Sequence, residues 1–97
     1  MKYIFLLALL SVKSLFAQTV TGKIICADDK QPASFATVLI EGIGFGTATD
    51  ENGKFKLIIP KKYADEKLTI SFLGYTKKEV AISTLKPTEN NIYIKKD

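Results

Sequence analysis

From Val20 onward the apolar side chains of this chain fall on alternate residues, and no window sustains the 3.6-residue stripe of a helix. Val20, Gly22, Ile24 and Cys26 share one parity, opposite Thr21 and Lys23. The same alternation returns in Val38 and Ile40, Phe55 and Leu57, and Leu68, Ile70 and Phe72, then in Val80 and Ile82 and in Ile92 and Ile94. A period of two places every second side chain on one face, so each run forms a strand with one side against a core. Turn-forming residues separate the runs: Asp28-Asp29-Lys30-Gln31-Pro32, Gly42-Ile43-Gly44, Asn52-Gly53, Pro60-Lys61-Lys62 and Gly74. Seven short strands spaced about ten residues apart predict an antiparallel, Greek-key β-sandwich. Asn52-Gly53 reads as the type I′ turn of a hairpin joining Thr47-Ala48-Thr49 to Phe55-Lys56-Leu57. Pro60, which lacks a ladder donor, closes the strand that follows. Lys61 to Glu66 has room for a single helical turn.

The first seventeen residues read differently. Met1-Lys2-Tyr3 is a cationic start, Ile4 to Leu10 is continuously apolar, and Ala17 is a small residue before Gln18. A charged start, an apolar stretch of about seven to fifteen residues and a small residue at the cut make up a secretory signal peptide. A membrane span needs about twenty apolar residues, and Lys13 interrupts this run early. The expected organisation is a cleaved leader over 1–17 and one domain over 18–97, exported and without a transmembrane span in the mature chain. Two of the fourteen lysines lie in the leader, so the mature domain carries twelve lysines against ten acids, a surplus of two. So small an excess points to no nucleic-acid partner.

The residue inventory excludes much chemistry. With no His, the chain has no His-based triad and no His-ligated zinc or haem; a single Cys excludes a disulfide framework. Gly42-Ile43-Gly44-Phe45-Gly46 resembles a phosphate loop, but Thr47-Ala48-Thr49-Asp50 follows as strand rather than helix, with no Lys in place. Thr49-Asp50-Glu51-Asn52-Gly53 has part of a calcium loop, yet Ala48 and Ile59 stand where acids are needed. The alternative role for Asp50 is an Asx-type turn, its carboxylate accepting backbone N–H bonds. The acid pairs Asp28-Asp29 and Asp65-Glu66 are adjacent on turns, Ser34, Ser71 and Ser83 have no visible base, and Cys26 shares the buried parity of Ile24. The expectation is therefore no catalytic residue, no metal and no cofactor. Ile43 and Phe45 stand in a glycine-rich loop, where large apolar residues either mark a partner surface or cover the open end of the sandwich. The Tyr75 ring is expected to pack across a sandwich edge with its hydroxyl bonded to backbone.

Taken in order, Val20-x-Gly22-x-Ile24, Ala36-x-Val38-x-Ile40-x-Gly42, Gly46-Thr47-x-Thr49-Asp50-x-x-Gly53-x-Phe55 and Ser71-Phe72-x-Gly74-Tyr75 resemble the carboxypeptidase regulatory-like domain. The resemblance runs from Val20 to Ile94 and implies a seven-stranded, transthyretin-like sandwich. It gives Gly46, Thr47, Thr49, Asp50, Gly53, Phe55, Gly74 and Tyr75 structural rather than catalytic roles. In that family the domain is an accessory, following the catalytic domain of some metallocarboxypeptidases and forming the N-terminal extension of many TonB-dependent outer-membrane receptors. A domain directly behind a signal peptide resembles the second setting. The expectation is a non-catalytic domain in the periplasm, associated with the outer membrane, binding a protein partner through Ile43 and Phe45. The chain is then either a free-standing domain or the N-terminal piece of a longer receptor. A carbohydrate-binding module of transthyretin-like fold is the alternative, with only Tyr and Phe to stack on sugars.

Overall fold

The computed structural model describes residues 17–97; the leader expected over 1–17 lies, except for Ala17, outside the described residues. Seven strands follow in order: β1 (Ala17–Cys26), β2 (Thr37–Ile40), β3 (Phe45–Ala48), β4 (Lys54–Pro60), β5 (Lys67–Ser71), β6 (Lys78–Ala81) and β7 (Asn90–Ile94). They form a three-stranded sheet in the order β4-β1-β7 and a four-stranded sheet in the order β3-β2-β5-β6. The alternation read from the sequence is what joins the two sheets. Val20, Ile24, Leu57, Ile59, Ile92 and Ile94 of one sheet and Val38, Ile40, Leu68 and Ile70 of the other are buried in a single core. Each such aliphatic side chain contributes roughly 1.5–3 kcal/mol by leaving water. Cys26 is buried among them as a small apolar residue. No helix among the described residues is long and apolar enough to cross a membrane.

Three expectations are corrected. The sandwich is not wholly antiparallel, because β1 and β7 run parallel over Gly22–Cys26 and Asn90–Ile94. Side-chain period is the same in both pairings, so alternation alone does not distinguish them. The Asn52-Gly53 turn does not make a hairpin either: β3 pairs with β2 and β4 with β1, so residues 49–53 arch from one sheet to the other. Of the two, only Gly53 has positive φ, whereas a type I′ turn needs it at both central residues. Ile82, expected in a strand with Val80, lies buried in a short 3-10 turn over Ile82–Thr84. The turn expected after Pro60 is present as a 3-10 turn over Lys61–Tyr63.

Buried polar groups fix the connections. Asn90 donates from Nδ2 to the carbonyls of Thr21 (2.8 Å) and Lys86 (2.7 Å) and accepts the Lys86 N–H at Oδ1 (2.9 Å), holding the loop into β7 against β1. Among the described residues no buried side-chain polar atom lacks a partner.

Candidate functional site

The residues of the sequence motif converge on the arch, and there they hold the backbone in place. Thr49 is 2% exposed. Its hydroxyl donates to the Ala33 carbonyl (2.5 Å) and accepts the Ala36 N–H (2.8 Å), while its own N–H donates to the Ala36 carbonyl (2.8 Å). One threonine thus ties the arch to the segment entering β2. The Asp50 carboxylate accepts N–H bonds from Asn52 (2.8 Å) and Lys54 (2.9 Å), the Asx-type closure expected of it. Both bonds fall on one carboxylate oxygen, Oδ1. Gly53, at φ +75°, lies so close to β1 that a Cβ would stand 2.7 Å from the Ile24 carbonyl oxygen. Phe55 is buried in the core beneath the arch.

Tyr75 departs from expectation in its partner. Its ring packs on Phe72, with centroids 5.3 Å apart and planes tilted by 43°. Its hydroxyl, however, donates to the Asp28 carboxylate at 2.9 Å rather than to backbone. The neighbouring Cys26 thiol and the Asp28 carboxylate hold the phenol protonated and push its pKa far above the ordinary 10.0. Gly74, at φ +87°, makes the turn that brings Tyr75 there. The potential ligand atoms of Cys26, Asp28 and Asp29 lie within 4.8 Å of one another. Asp28 accepts the Tyr75 hydroxyl, and Asp29 accepts the Gln31 N–H (3.0 Å) within the turn after β1.

Ile43 and Phe45 are placed differently. The β2–β3 connection is a hairpin whose strands pair from Thr37↔Ala48 to Ile40↔Phe45, leaving Glu41–Gly44 at its tip. Ile43 is 43% exposed at that tip. Phe45, expected in the loop, is the first residue of β3 and is 45% exposed. Both side chains thus leave a little under half of their surface open to solvent. Thr47 is half-buried opposite Val38. At Gly46 the backbones of β2 and β3 approach so closely that any Cβ would collide with the Val38 carbonyl.

Sequence reading misses two further apolar side chains. Phe35 is 72% exposed and Leu73 is 97% exposed. Thr37 pairs with Ser71, so both lie two residues beyond that pair, at the end of the four-stranded sheet opposite the hairpin tip. Phe35 also has φ +61°, a left-handed conformation unusual for a bulky residue. Alternation hides both, because each lies just outside a strand where parity no longer predicts burial.

A second missed feature is a groove of about 780 Å³ beside β3. Thr47, Ala48 and Asp50 line it together with three lysines, Lys23, Lys54 and Lys56, from the three-stranded sheet. Lys23 and Lys54 are cross-strand partners, so two like charges stand directly opposite each other. A reading that makes β4 the hairpin partner of β3 keeps these lysines apart.

Known proteins agree with this architecture. No curated protein of known function matches the chain significantly. Among solved structures, a chain from the type II cohesin–X–dockerin complex of Acetivibrio cellulolyticus (a C-terminal interface mutant, Coh3ScaB–XDoc_M2ScaA) is similar at 23% identity, with a TM-score of 0.56. The alignment covers 79% of this chain and 56% of that one, so this protein spans little more than half of that chain's length. At this identity the likeness is one of fold. The model of the CarboxypepD_reg-like domain matches residues 20–97, nearly the whole of the described structure, and the chain belongs to that family.

Proposed function

We propose that this protein is a non-catalytic interaction domain, exported to the periplasm and held at the outer membrane, where the β2–β3 hairpin tip docks a protein partner. Membership of a regulatory-like domain family and the signal-peptide pattern of residues 1–17 support this reading. The resemblance to N-terminal extensions of TonB-dependent receptors supports the location. The observation that carries it is the exposure of Ile43 on the tip and of Phe45 beside it, where the tip glycines have nothing within 4 Å of where a side chain would stand. Large apolar side chains held out on a two-stranded projection give a partner desolvation energy at little cost in fold stability.

Two measurements test it. Fractionation of the native cell, with detection by an antibody against residues 18–97, is expected to place the protein in the periplasm or outer membrane; a cytoplasmic location would overturn the export reading. Site-specific photocrosslinking from position 41, at the same tip, is expected to trap one protein species. Ile43→Ser with Phe45→Ser is expected to abolish that adduct while leaving the unfolding midpoint nearly unchanged. An adduct of equal yield in the double variant would defeat the hairpin assignment.

A further inference from the structure

A sandwich of two open sheets has four edge strands, here β3 and β6 in one sheet and β4 and β7 in the other. An edge strand exposes a row of unpaired backbone donors and acceptors, and proteins blunt such rows with charges, prolines or coverings. Three of these edges are blunted. β4 carries Lys54 and Lys56 and ends in Pro60, and β6 carries Lys78 and Glu79. β7 runs directly into Lys95-Lys96, and the Lys30 ammonium lies 5.4 Å from the centroid of the Tyr93 ring. β3 reads Phe45-Gly46-Thr47-Ala48, with no charge and no proline, and among the described residues its far edge pairs with no strand. The Thr49 N–H donates toward β2, to the Ala36 carbonyl. Successive N–H groups of an extended strand point in opposite directions, so the Ala48 N–H faces outward.

The groove beside this edge supplies the second observation. Its lysines, Lys23, Lys54 and Lys56, share the face of the three-stranded sheet turned away from the core, and two of them oppose each other across strands. Of the two acids on the groove, Asp50 has its carboxylate turned into the arch by two backbone N–H bonds, leaving Glu89 as the other. Unpaired backbone next to clustered ammonium groups fits one kind of occupant.

We propose that β3 is an acceptor edge for an extended acidic peptide segment of a partner protein, which adds as a further strand beside β3 and places its carboxylates against Lys23, Lys54 and Lys56. Backbone pairing gives such a complex its affinity, and charge complementarity selects the peptide and fixes its register. This rests on the interaction-domain reading and names the chemistry of the partner for the strand next to the hairpin tip.

The test uses the mature chain and three fluorescent ten-residue probes. One alternates Thr and Glu, one alternates Thr and Lys, and one is the acidic peptide with two central prolines. The acidic probe is expected to bind at least tenfold more tightly than either of the others by fluorescence anisotropy. Lys54→Glu with Lys56→Glu is expected to weaken it at least tenfold. Ala48→Pro, which deletes an outward donor without touching the β2 ladder, is expected to weaken it at least fivefold with an unchanged circular dichroism spectrum. Amide exchange at Ala48 is expected to slow on binding. Equal binding of the acidic and basic probes, equal binding of the proline-interrupted probe, or no binding of the acidic probe at millimolar concentration would overturn the proposal. Should the position-41 adduct survive both the charge-reversed and Ala48→Pro variants, the edge inference fails while the interaction-domain reading stands. Loss of the adduct only in the Ile43/Phe45 variant likewise overturns the edge inference alone.

Discussion

Two glycine-bearing connections of this domain are built on opposite principles. In the arch over residues 49–53, Thr49 and Asp50 satisfy backbone groups on either side, and Gly53 sits too near the Ile24 carbonyl to bear a side chain. At the hairpin tip, Gly42 and Gly44 also have positive φ, yet open space surrounds them. The arch is recognisable in sequence because it is over-determined: several atoms depend on each residue. The tip is constrained by little beyond its own turn, which leaves its side chains available to something outside the molecule. The motif residues of the arch are thus scaffold, whereas the exposed apolar side chains beside the tip belong to no such bonding network.

Substitutions break this contrast in graded fashion. Thr49→Val strips the hydroxyl from a buried site and leaves the Ala36 N–H and Ala33 carbonyl unpartnered. At ~1–3 kcal/mol for each unsatisfied group, a loss of about 3 kcal/mol is expected from urea unfolding monitored by far-ultraviolet circular dichroism. Gly53→Ala combines left-handed strain with a collision against the Ile24 carbonyl and is expected to cost about 2–3 kcal/mol by the same assay. Gly42→Ala has the backbone strain without the collision, and about 1 kcal/mol is expected. Equal losses at the two glycines would remove the distinction between arch and tip. Asp50→Ala forfeits the two N–H bonds of an exposed turn, with an expected cost of about 1 kcal/mol.

The smallest effect is a titration near the tip. Glu79, close enough to share a proton with Glu41 and repelling its charge, raises the Glu41 pKa above the ordinary 4.5, with Lys67 opposing the shift. A carboxyl whose pKa is higher in the folded than in the unfolded state favours folding below the unfolded value, and that contribution is lost as pH rises through the folded value. Unfolding midpoints measured from pH 4 to pH 7 are therefore expected to fall less steeply in Glu79→Gln than in the wild type. An identical slope would show that the two carboxylates do not interact.

What can be read in advance follows from which interactions are local. Alternation identifies the strands and the core because burial acts on each residue's own side chain, and Cys26, Phe55 and Ile70 are buried as their parity implies. The Asx closure by Asp50 is legible for the same reason, since its partners lie within four residues. Pairings between distant segments are not. Tyr75 finds Asp28 across 47 positions, and Thr49 finds Ala33 across 16, with no trace in spacing or composition. The misread hairpin has the same origin: Asn-Gly specifies a reversal of direction, and whether the chain then rejoins its own sheet depends on which strand lies nearest. Ile43 and Phe45 stand out because a large apolar residue on a glycine-rich loop is conspicuous. The lysines that oppose each other across β1 and β4 do not, because each alone is an ordinary outward residue of a strand.

The parallel pairing of β1 with β7 has a mechanical consequence. Ala17 begins β1 at one end of the sheet, whereas Ile94 closes β7 beside Cys26 at the other. With a rise of about 3.3 Å per residue, those two points are separated by roughly the full length of β1, about 30 Å. Tension applied through the two ends of the domain would draw β1 and β7 past each other along their common axis, so that their hydrogen bonds bear load together instead of opening one at a time. Such a clamp resists stretching far better than a hairpin peeled from its tip.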